Sequence, residues 1–307
     1  MWTTLNDSLC QLGESPFWHP LERSLYWLDI PGRAVLRTRG EIEGEPTVER
    51  WSLPTEPGCM APAARGGLVI ALRDGIYRAH EWGGALEALA RVDHDARSMR
   101  FNDGKCDAQG RFWAGTLNEA KDRASGALYC LDARGGGTPV LARMADGVTT
   151  ANGLAFAPDG TTLYWADTAA HRVSARDWDA DTNRVSRPRA FRQFGAKPEG
   201  WSPASPRGYQ GRPDGATVDA EGHYWVAMFE GGQLLRFSPA GEQVAALPMP
   251  VQCPTMPCFG GDDLRTLFVT SARNGRSAEE LEQRPASGHV IALRTEVSGL
   301  PVHFFDD

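Results

Sequence analysis

The sequence predicts an all-β fold, a closed six-bladed β-propeller with four-stranded blades, and three observations lead to it. An aromatic or apolar residue pair, followed by a small or acidic residue, recurs six times along the 307 residues. The second members of the pairs are 43, 43, 52, 60 and 43 residues apart, which suits a propeller blade and is too long for leucine-rich or ankyrin repeats. Long helical patterns are scarce, while Gly (34) and Pro (21) punctuate the chain. We therefore expect one propeller domain over residues 1–307.

The recurring pair marks the second strand of each predicted blade. Most copies follow a turn signal rich in Gly, Asp or Pro, so each repeat reads as strand, turn, strand. Tryptophans at the second position are expected to pack between strands, because a large ring is best used in a core. The six pairs are Tyr26-Trp27, Val69-Ile70, Phe112-Trp113, Tyr164-Trp165, Tyr224-Trp225 and Leu267-Phe268.

A second short apolar stretch follows each pair and predicts the third strand of the blade. One further segment, Ser277–Arg284, has a helical pattern. The third-strand candidates are Ala34–Arg37, Gly75–Arg78, Ala127–Cys130, His171–Val173, Leu234–Phe237 and His289–Leu293.

Four polar residues precede a tryptophan of the repeat by matched distances, which places each near the start of an innermost strand. The difference between the two distances is expected to lie in the turn, which is longer in the first and fourth blades. Innermost strands line the central channel, so we expect the four side chains to converge on the axis. They are Glu14 and Asn152, 13 positions before Trp27 and Trp165, and Asn102 and Asp214, 11 positions before Trp113 and Trp225.

Two carboxylates and two amides at one site predict a metal ion. Glu14 and Asp214 would repel each other and would be costly to desolvate, whereas a divalent cation neutralises both. All-oxygen ligation favours a hard ion, Ca²⁺ first, with Mg²⁺, Mn²⁺ or Zn²⁺ as alternatives. A lone Asp or Asn is more often a turn or cap residue, but four at one repeat position favour a site.

Composition argues against several classes of partner. The chain carries 32 Lys and Arg against 39 Asp and Glu, a net charge of −7, and offers no basic footprint for nucleic acid or an anionic membrane. The first residues show no signal peptide, and no run of about 18 apolar residues occurs. We expect a cytoplasmic monomer or small homo-oligomer that acts on a small molecule.

Cysteine and histidine patterns exclude other chemistries. The six cysteines form no CxxC pair, so zinc-finger and redox sites are not predicted, and we expect Cys253 and Cys258 to be reduced thiols. HExxH, GxSxG and GxxxxGK[ST] motifs are absent from the sequence, which argues against zincins, serine hydrolases and P-loop proteins.

Five motifs in order give the chain a family resemblance that runs nearly end to end. On these motifs the sequence resembles the gluconolactonase/regucalcin family, also called the senescence marker protein family, of six-bladed propeller lactonases. The matching stretches are residues 12–18 with 25–29, residues 100–105 with 110–116, residues 152–160 with 164–167, residues 213–215, and residues 258–261 with 268–270.

The resemblance implies a role for each site residue. Residues matching Glu14, Asn152 and Asp214 coordinate one divalent metal in that family, and those matching Arg100 and Asn102 contact the substrate. Glu119 is the candidate for a further acidic substrate contact, although it stands one position from the family's pattern. Asp103 is expected to support its neighbours or to hold a turn. Loops at residues 118–125 and 195–212 are expected to cover the pocket.

We therefore expect metal-dependent hydrolysis of a sugar-acid lactone, such as glucono-, galactono-, arabinono- or xylonolactone. The metal would polarise the carbonyl, and Asp214 is the candidate general base. Three alternatives stay open at this point. They are a non-catalytic calcium-binding or regulatory propeller, a scaffold for protein partners, and a metal-dependent hydrolase of aryl esters or organophosphates, which would need an apolar pocket.

Overall fold

The protein is described by a computed structural model that covers residues 1–39, 46–204 and 208–307. In these ranges the strands form six antiparallel sheets, and the innermost strand of each sheet packs against that of the next, closing a ring. The predicted six-bladed β-propeller is confirmed. Its six second strands contain the six predicted residue pairs, and its third strands overlap the six predicted third-strand segments.

Blades 1 to 3 each contain four consecutive strands, numbered outward from the channel. Blade 1 has β2 (Gly13–His19), β3 (Ser24–Asp29), β4 (Ala34–Arg39) and β5 (Thr47–Ser52). Blade 2 has β6 (Cys59–Pro62), β7 (Leu68–Ala71), β8 (Gly75–Ala79) and β9 (Glu87–Arg91). Blade 3 has β10 (Met99–Cys106), β11 (Phe112–Asn118), β12 (Gly126–Asp132) and β13 (Val140–Val148), with a 3₁₀ turn at Arg134–Gly136.

Blades 4 to 6 vary this plan at their outer edges. Blade 4 has β14 (Ala151–Phe156), β15 (Thr162–Asp167) and β16 (Arg172–Asp179), and both β17 (Arg184–Val185) and β18 (Arg189–Gln193) pair with β16. Blade 5 has β19 (Arg212–Val218), β20 (Tyr224–Phe229), β21 (Gln233–Phe237) and β22 (Gln243–Pro248). Blade 6 has β23 (Pro254–Gly260), β24 (Thr266–Ser271) and β25 (Ile291–Arg294), and its outer strand is β1 (Thr3–Thr4) from the start of the chain.

The helix α1 (Ala278–Gln283) lies in the connection between β24 and β25, where the sequence predicts one. Ser277 caps it, since its hydroxyl accepts a hydrogen bond from the Glu280 amide. Glu279 and Glu280 add negative charge to the first turn, which the helix dipole favours. No helix in the described ranges is long and apolar enough to cross a membrane.

The predicted tryptophans pack inside the blades. Trp27, Trp113, Trp165 and Trp225 are at most 4% exposed. The indole nitrogens of Trp113 and Trp225 each donate to a buried aspartate, Asp107 and Asp219 in turn, at 2.7 and 2.8 Å. Their expected packing role is confirmed.

A β-bulge interrupts the innermost strand pair in five of the six blades. The irregularity lies between Glu14 and Phe17 in blade 1, and corresponding shifts occur in blades 3, 4, 5 and 6. Only blade 2 pairs its inner strands in regular register. Because a bulge turns a side chain out of the pleat, these positions can aim polar groups along the channel.

The matched spacing of the four polar residues has two causes, and the turn accounts for only one of them. The first turn holds four residues in blades 1 and 4 and three in blades 3 and 5. The second residue of difference comes from the strand register. Glu14 lies opposite Leu28, whereas Asn102 lies within its bulge, opposite Gly115.

The C-terminal segment crosses the face of the ring that carries the first turns. Phe305 is completely buried, and its amide donates to the Pro62 carbonyl at 2.8 Å. Leu300 and His303 help line a mainly apolar cavity of about 110 Å³ inside the channel at this end. The tail therefore closes the channel opposite the loops that join second to third strands.

Candidate functional site

The innermost strands of blades 3, 4 and 5 bring three of the predicted residues into direct contact. Asn102 Nδ2 donates to Asn152 Oδ1 at 2.8 Å, and Asn152 Nδ2 donates to Asp214 Oδ1 at 2.6 Å. With Glu14 on blade 1, these side chains are between 3 and 7% exposed. They lie near the strand starts, at the open end of the channel.

Glu14 completes the group through charge. Its carboxylate interacts with those of Asp214 and Asp103, and burial together with this repulsion raises its pKa well above the ordinary value. Burial, followed by the nearby Asp103, also raises the pKa of Asp214 to about 8. Three buried carboxylates in one place are electrostatically unfavourable unless protons or a cation neutralise them.

Asp103, expected from the sequence only to support its neighbours or to hold a turn, also belongs to this group. Its Oδ2 accepts a hydrogen bond from the Leu154 amide at 2.8 Å, which ties blade 3 to the bulge of blade 4. Its Oδ1 is buried and has no hydrogen-bond partner in the described ranges. An orphaned carboxylate oxygen beside Glu14 and Asp214 adds to the negative charge of the site.

Thr168 was missed by the sequence analysis. It follows β15, accepts a hydrogen bond from Asn152 Nδ2 at 2.8 Å, and donates to the Pro213 carbonyl at 2.7 Å. It thereby fixes both the Asn152 amide and the strand that carries Asp214. No spacing signal marks it, because the contact crosses between two blades.

Arg100 lies beside Asn102 and is held from two directions. Its Nη1 donates to Asn102 Oδ1 and to the Phe101 carbonyl, each at 2.9 Å. Its Nε lies 3.7 Å from Glu119 Oε1. The same carboxylate accepts from Arg73 of blade 2 at 2.5 and 3.2 Å, so the structure places Glu119 between two arginines.

A second group of potential metal ligands lies at the opposite face, in the first turn of blade 5. Asp219, Glu221 and His223 present ligand atoms close together. Their partners are already protein groups, since Asp219 Oδ2 accepts from Trp225 Nε1 and Arg236 Nε, each at 2.8 Å. Arg236 also contacts Glu221 Oε2 at 2.6 Å. An arginine therefore already supplies the positive charge there.

Comparison with known proteins adds to this geometry. A family model described as the SMP-30/gluconolactonase/LRE-like region matches residues 12–273. The chain belongs to this family. The SMP-30/gluconolactonase match confirms the resemblance drawn from the five motifs.

Two curated relatives and one solved structure are similar over almost their whole lengths. The chain is 42% identical to 6-deoxy-6-sulfogluconolactonase of Pseudomonas putida over 288 residues, covering 94% of this chain and 92% of the relative. It is 32% identical to regucalcin of Xenopus laevis over 290 residues, covering 92% and 90%. The structure of regucalcin from Agrobacterium tumefaciens, described as a calcium-binding protein, superposes with a TM-score of 0.86 at 27% identity, covering 98% and 96%.

Proposed function

We propose that this protein hydrolyses the ring ester of a sugar-acid lactone, with one divalent metal ion held by Glu14, Asn152 and Asp214. The observation that carries the proposal is the buried meeting of carboxylates and amides from four blades at the open end of the channel. Membership of a family with lactonase relatives supports the same reaction class.

The residues fit a hard divalent cation. Glu14 and Asp214 supply two carboxylates, and the Asn152 carbonyl oxygen, which accepts from Asn102, is the amide ligand. Burial and mutual repulsion raise the pKa values of Glu14 and Asp214, so either protons or a cation would relieve the repulsion between their carboxylates. An all-oxygen set of this kind suits Ca²⁺ first, with Mn²⁺, Mg²⁺ and Zn²⁺ as further candidates.

Each side chain then has a role in the reaction. The metal supplies Lewis acidity toward the lactone carbonyl. Arg100 donates to the carbonyl oxygen of the substrate, and Asn102 Oδ1 accepts from a substrate hydroxyl, because both Asn102 N–H groups already donate to Ala151 and Asn152. Glu119, held by Arg73, orients Arg100. Asp214 takes a proton from water as the water oxygen bonds to the carbonyl carbon.

The products follow from the bonds that change. The bond between the carbonyl carbon and the ring oxygen breaks, the ring oxygen takes up the proton that Asp214 received from water and leaves as a hydroxyl, and the open-chain aldonic acid forms. At neutral pH the acid releases a proton, so hydrolysis acidifies an unbuffered solution.

A pH-indicator assay tests the proposal. Chelated protein is reconstituted ion by ion and offered glucono-, galactono-, arabinono- and xylonolactone, together with 6-deoxy-6-sulfogluconolactone because of the 42% identical relative. We expect acid release above the spontaneous rate only with an ion present. If no lactone is hydrolysed above its spontaneous rate with any of the metal ions, the lactonase proposal is wrong.

A non-catalytic calcium-binding propeller is the second candidate, favoured by the description of the Agrobacterium neighbour as calcium-binding. It predicts calcium binding without turnover in the same assay. An aryl esterase or organophosphate hydrolase is less well supported, because the mainly apolar cavity lies behind the carboxylates, at the tail end of the channel.

A further inference from the structure

A cluster of positive charge lies on the same face as Asp214, beside the proposed metal site. Its centre is Glu230, a 5% exposed carboxylate in the loop after β20. Lys197 Nζ, Arg276 Nη1 and Arg212 Nη2 approach it at 2.8, 3.3 and 3.4 Å. Although burial opposes ionisation, Lys197 and Arg212 hold the pKa of Glu230 below its ordinary value.

The cluster contains more cations than carboxylates. Arg276 forms its closest contacts with Glu280, at 2.5 and 2.7 Å. Among the described residues, Lys197, Arg212, Arg276 and Lys121 face three carboxylates, those of Glu230, Glu280 and Asp214, which leaves one positive charge, and a second once a metal ion neutralises Asp214.

Lys121 is the most available of these cations. It lies in the loop between β11 and β12, in left-handed conformation (φ 55°), and its side chain is exposed. The completely enclosed Asn118 holds this loop, accepting from the Ala120 amide at 3.1 Å and donating to Asp122 at 2.5 Å. Within the described parts of the chain the Lys121 ammonium has no hydrogen bond or ion pair, yet it interacts electrostatically with Arg212, Asp214 and Glu230.

Unused hydrogen-bond donors lie around the same cluster. Trp201 Nε1 and Tyr209 Oη are buried and have no hydrogen-bond partner among the described residues, and Tyr209 is 8% exposed. The two rings contact each other at 5.4 Å, and Lys197 lies over the Trp201 ring at 4.6 Å. Buried donors without acceptors are costly, and surplus cations and donors together suit a ligand that offers only acceptors.

We propose that Lys121 and Arg212 form a subsite for an anionic substituent, a sulfonate or phosphate carried on the lactone at the carbon farthest from the carbonyl. Arg212 stands two residues before Asp214 on β19, about 6.6 Å along a strand at ~3.3 Å per residue. A six-carbon chain bridges the two positions, with its carbonyl at the carboxylates and its substituent at the cations. This inference rests on the proposed lactone hydrolysis for the orientation of the substrate.

Binding of product analogues tests the subsite without requiring turnover. Calorimetric titration of metal-loaded protein compares 6-phosphogluconate and 6-deoxy-6-sulfogluconate with gluconate, which shares their carboxylate. We expect 6-phosphogluconate or 6-deoxy-6-sulfogluconate to bind about tenfold tighter than gluconate, because the phosphate or sulfonate adds a charge-assisted contact. This preference should shrink as the salt concentration rises. The better of the two identifies sulfonate or phosphate.

Two matched variants test whether Lys121 causes the preference for a phosphate or sulfonate substituent. Lys121→Met is expected to lower the affinity ratio about tenfold, while Arg123→Met, which removes an equal charge from an exposed side chain of the same loop, leaves the ratio unchanged. Equal binding of all three ligands by the wild type, or equal effects of the two variants, would overturn the subsite.

The two proposals fail separately. Lactones that are hydrolysed without any preference for an anionic substituent would overturn the subsite and keep the lactonase. If the protein prefers ligands with a phosphate or sulfonate in a way that depends on Lys121 but hydrolyses no lactone, the subsite is kept and the lactonase proposal is overturned.

Discussion

Asp214 is 6% exposed, contacts Asn152 directly and interacts electrostatically with Asp103 and Glu14, and this crowding sets its chemistry. Its oxygen accepts a 2.6 Å hydrogen bond from Asn152, and Arg212 and Lys121 offset part of the repulsion from Asp103. The residue is thus suited to bind a cation and, with water beside it, to accept a proton.

Replacing Asp214 separates these two roles. We expect Asp214→Asn to weaken metal binding and, at saturating metal, to lower the hydrolysis rate by about 10²–10⁴, the usual contribution of a general base. Metal titration and initial rates measure the two effects on the same preparation. A variant that keeps both its metal and its full rate would show that the base lies elsewhere.

The raised pKa values of Glu14 and Asp214 predict how metal-free protein responds to pH. Both carboxyls bind protons more tightly when folded than when unfolded, where the pKa of Asp is about 3.9. Their contribution to the free energy of unfolding therefore falls as pH rises from about 4 toward the folded pKa of Asp214, about 8.

Thermal unfolding with and without metal measures this linkage. We expect the rise in Tm on adding Ca²⁺ to be larger at pH 8.5 than at pH 6, because protons compete for the same oxygens. Glu14→Gln should flatten the difference. A metal-induced rise in Tm that is independent of pH would contradict the site.

At this scale the sequence could predict the residues that repeat and could not predict those that do not. Glu14 and Asn152 share one position relative to the tryptophan, and Asn102 and Asp214 share another within the bulge, so the matched spacing found all four although their registers differ. Thr168 reaches its partners across a blade boundary. Lys121 is positioned by the conformation of its loop. The positions of Thr168 and Lys121 therefore produce no repeating pattern in the sequence.

At the scale of the element, the bulge of β14 places Asn152. Gly153 has φ 57°, and a Cβ added there would lie 2.4 Å from Tyr224 Oη and 2.9 Å from Ala166 Cβ. Tyr224 Oη also donates to the Gly153 carbonyl at 2.9 Å. Blades 4 and 5 therefore meet closely enough that only glycine fits.

Gly153→Ala tests this packing. We expect a loss of about 2–4 kcal/mol in the free energy of unfolding, from the clash and the left-handed backbone together, and weaker metal binding as Asn152 shifts. Gly137→Ala is the matched control, because nothing lies within 4 Å and its φ is −87°. Similar denaturant midpoints for the two variants would contradict the role of the bulge.

The positions of the strands could be predicted from the sequence, whereas their β-bulges could not. The hydrophobic pairs located every second strand because each pair is buried on both faces of its blade. Glu14 and Asn152 precede the bulge of their strand, whereas Asn102 and Asp214 lie within theirs, and from the spacing alone this one-residue difference is attributed to the turn. The N-terminal strand β1 joins blade 6 with only two residues, too few to produce a hydrophobic pattern.

At the scale of the whole molecule, the two chain ends close different parts of the ring. β1 completes blade 6, while the C-terminal tail spans from blade 5 to blade 2 and covers the channel. The buried Arg78 donates to Asp307 at 2.7 Å, which ties the end of the tail to blade 2. We retain the proposal of one domain over residues 1–307.

Phe305 provides a test of this closure. We expect Phe305→Ala to lower the free energy of unfolding by about 3–5 kcal/mol, as for other buried aromatics, within a single calorimetric transition. Leu21→Ala, at an 84% exposed side chain on the same face, should change stability by less than about 0.5 kcal/mol. Two separate transitions in the wild type would contradict the single domain.

The most direct test of the account is a metal titration of chelated protein that follows bound ion and lactone hydrolysis together. We predict one ion per chain, with the rate rising in proportion to occupancy. Glu14→Gln should lose both signals, and Glu221→Gln, in the carboxylate group of the opposite face, should keep both. Full hydrolysis by metal-free protein, or loss of the ion in Glu221→Gln but not in Glu14→Gln, would contradict the central claim.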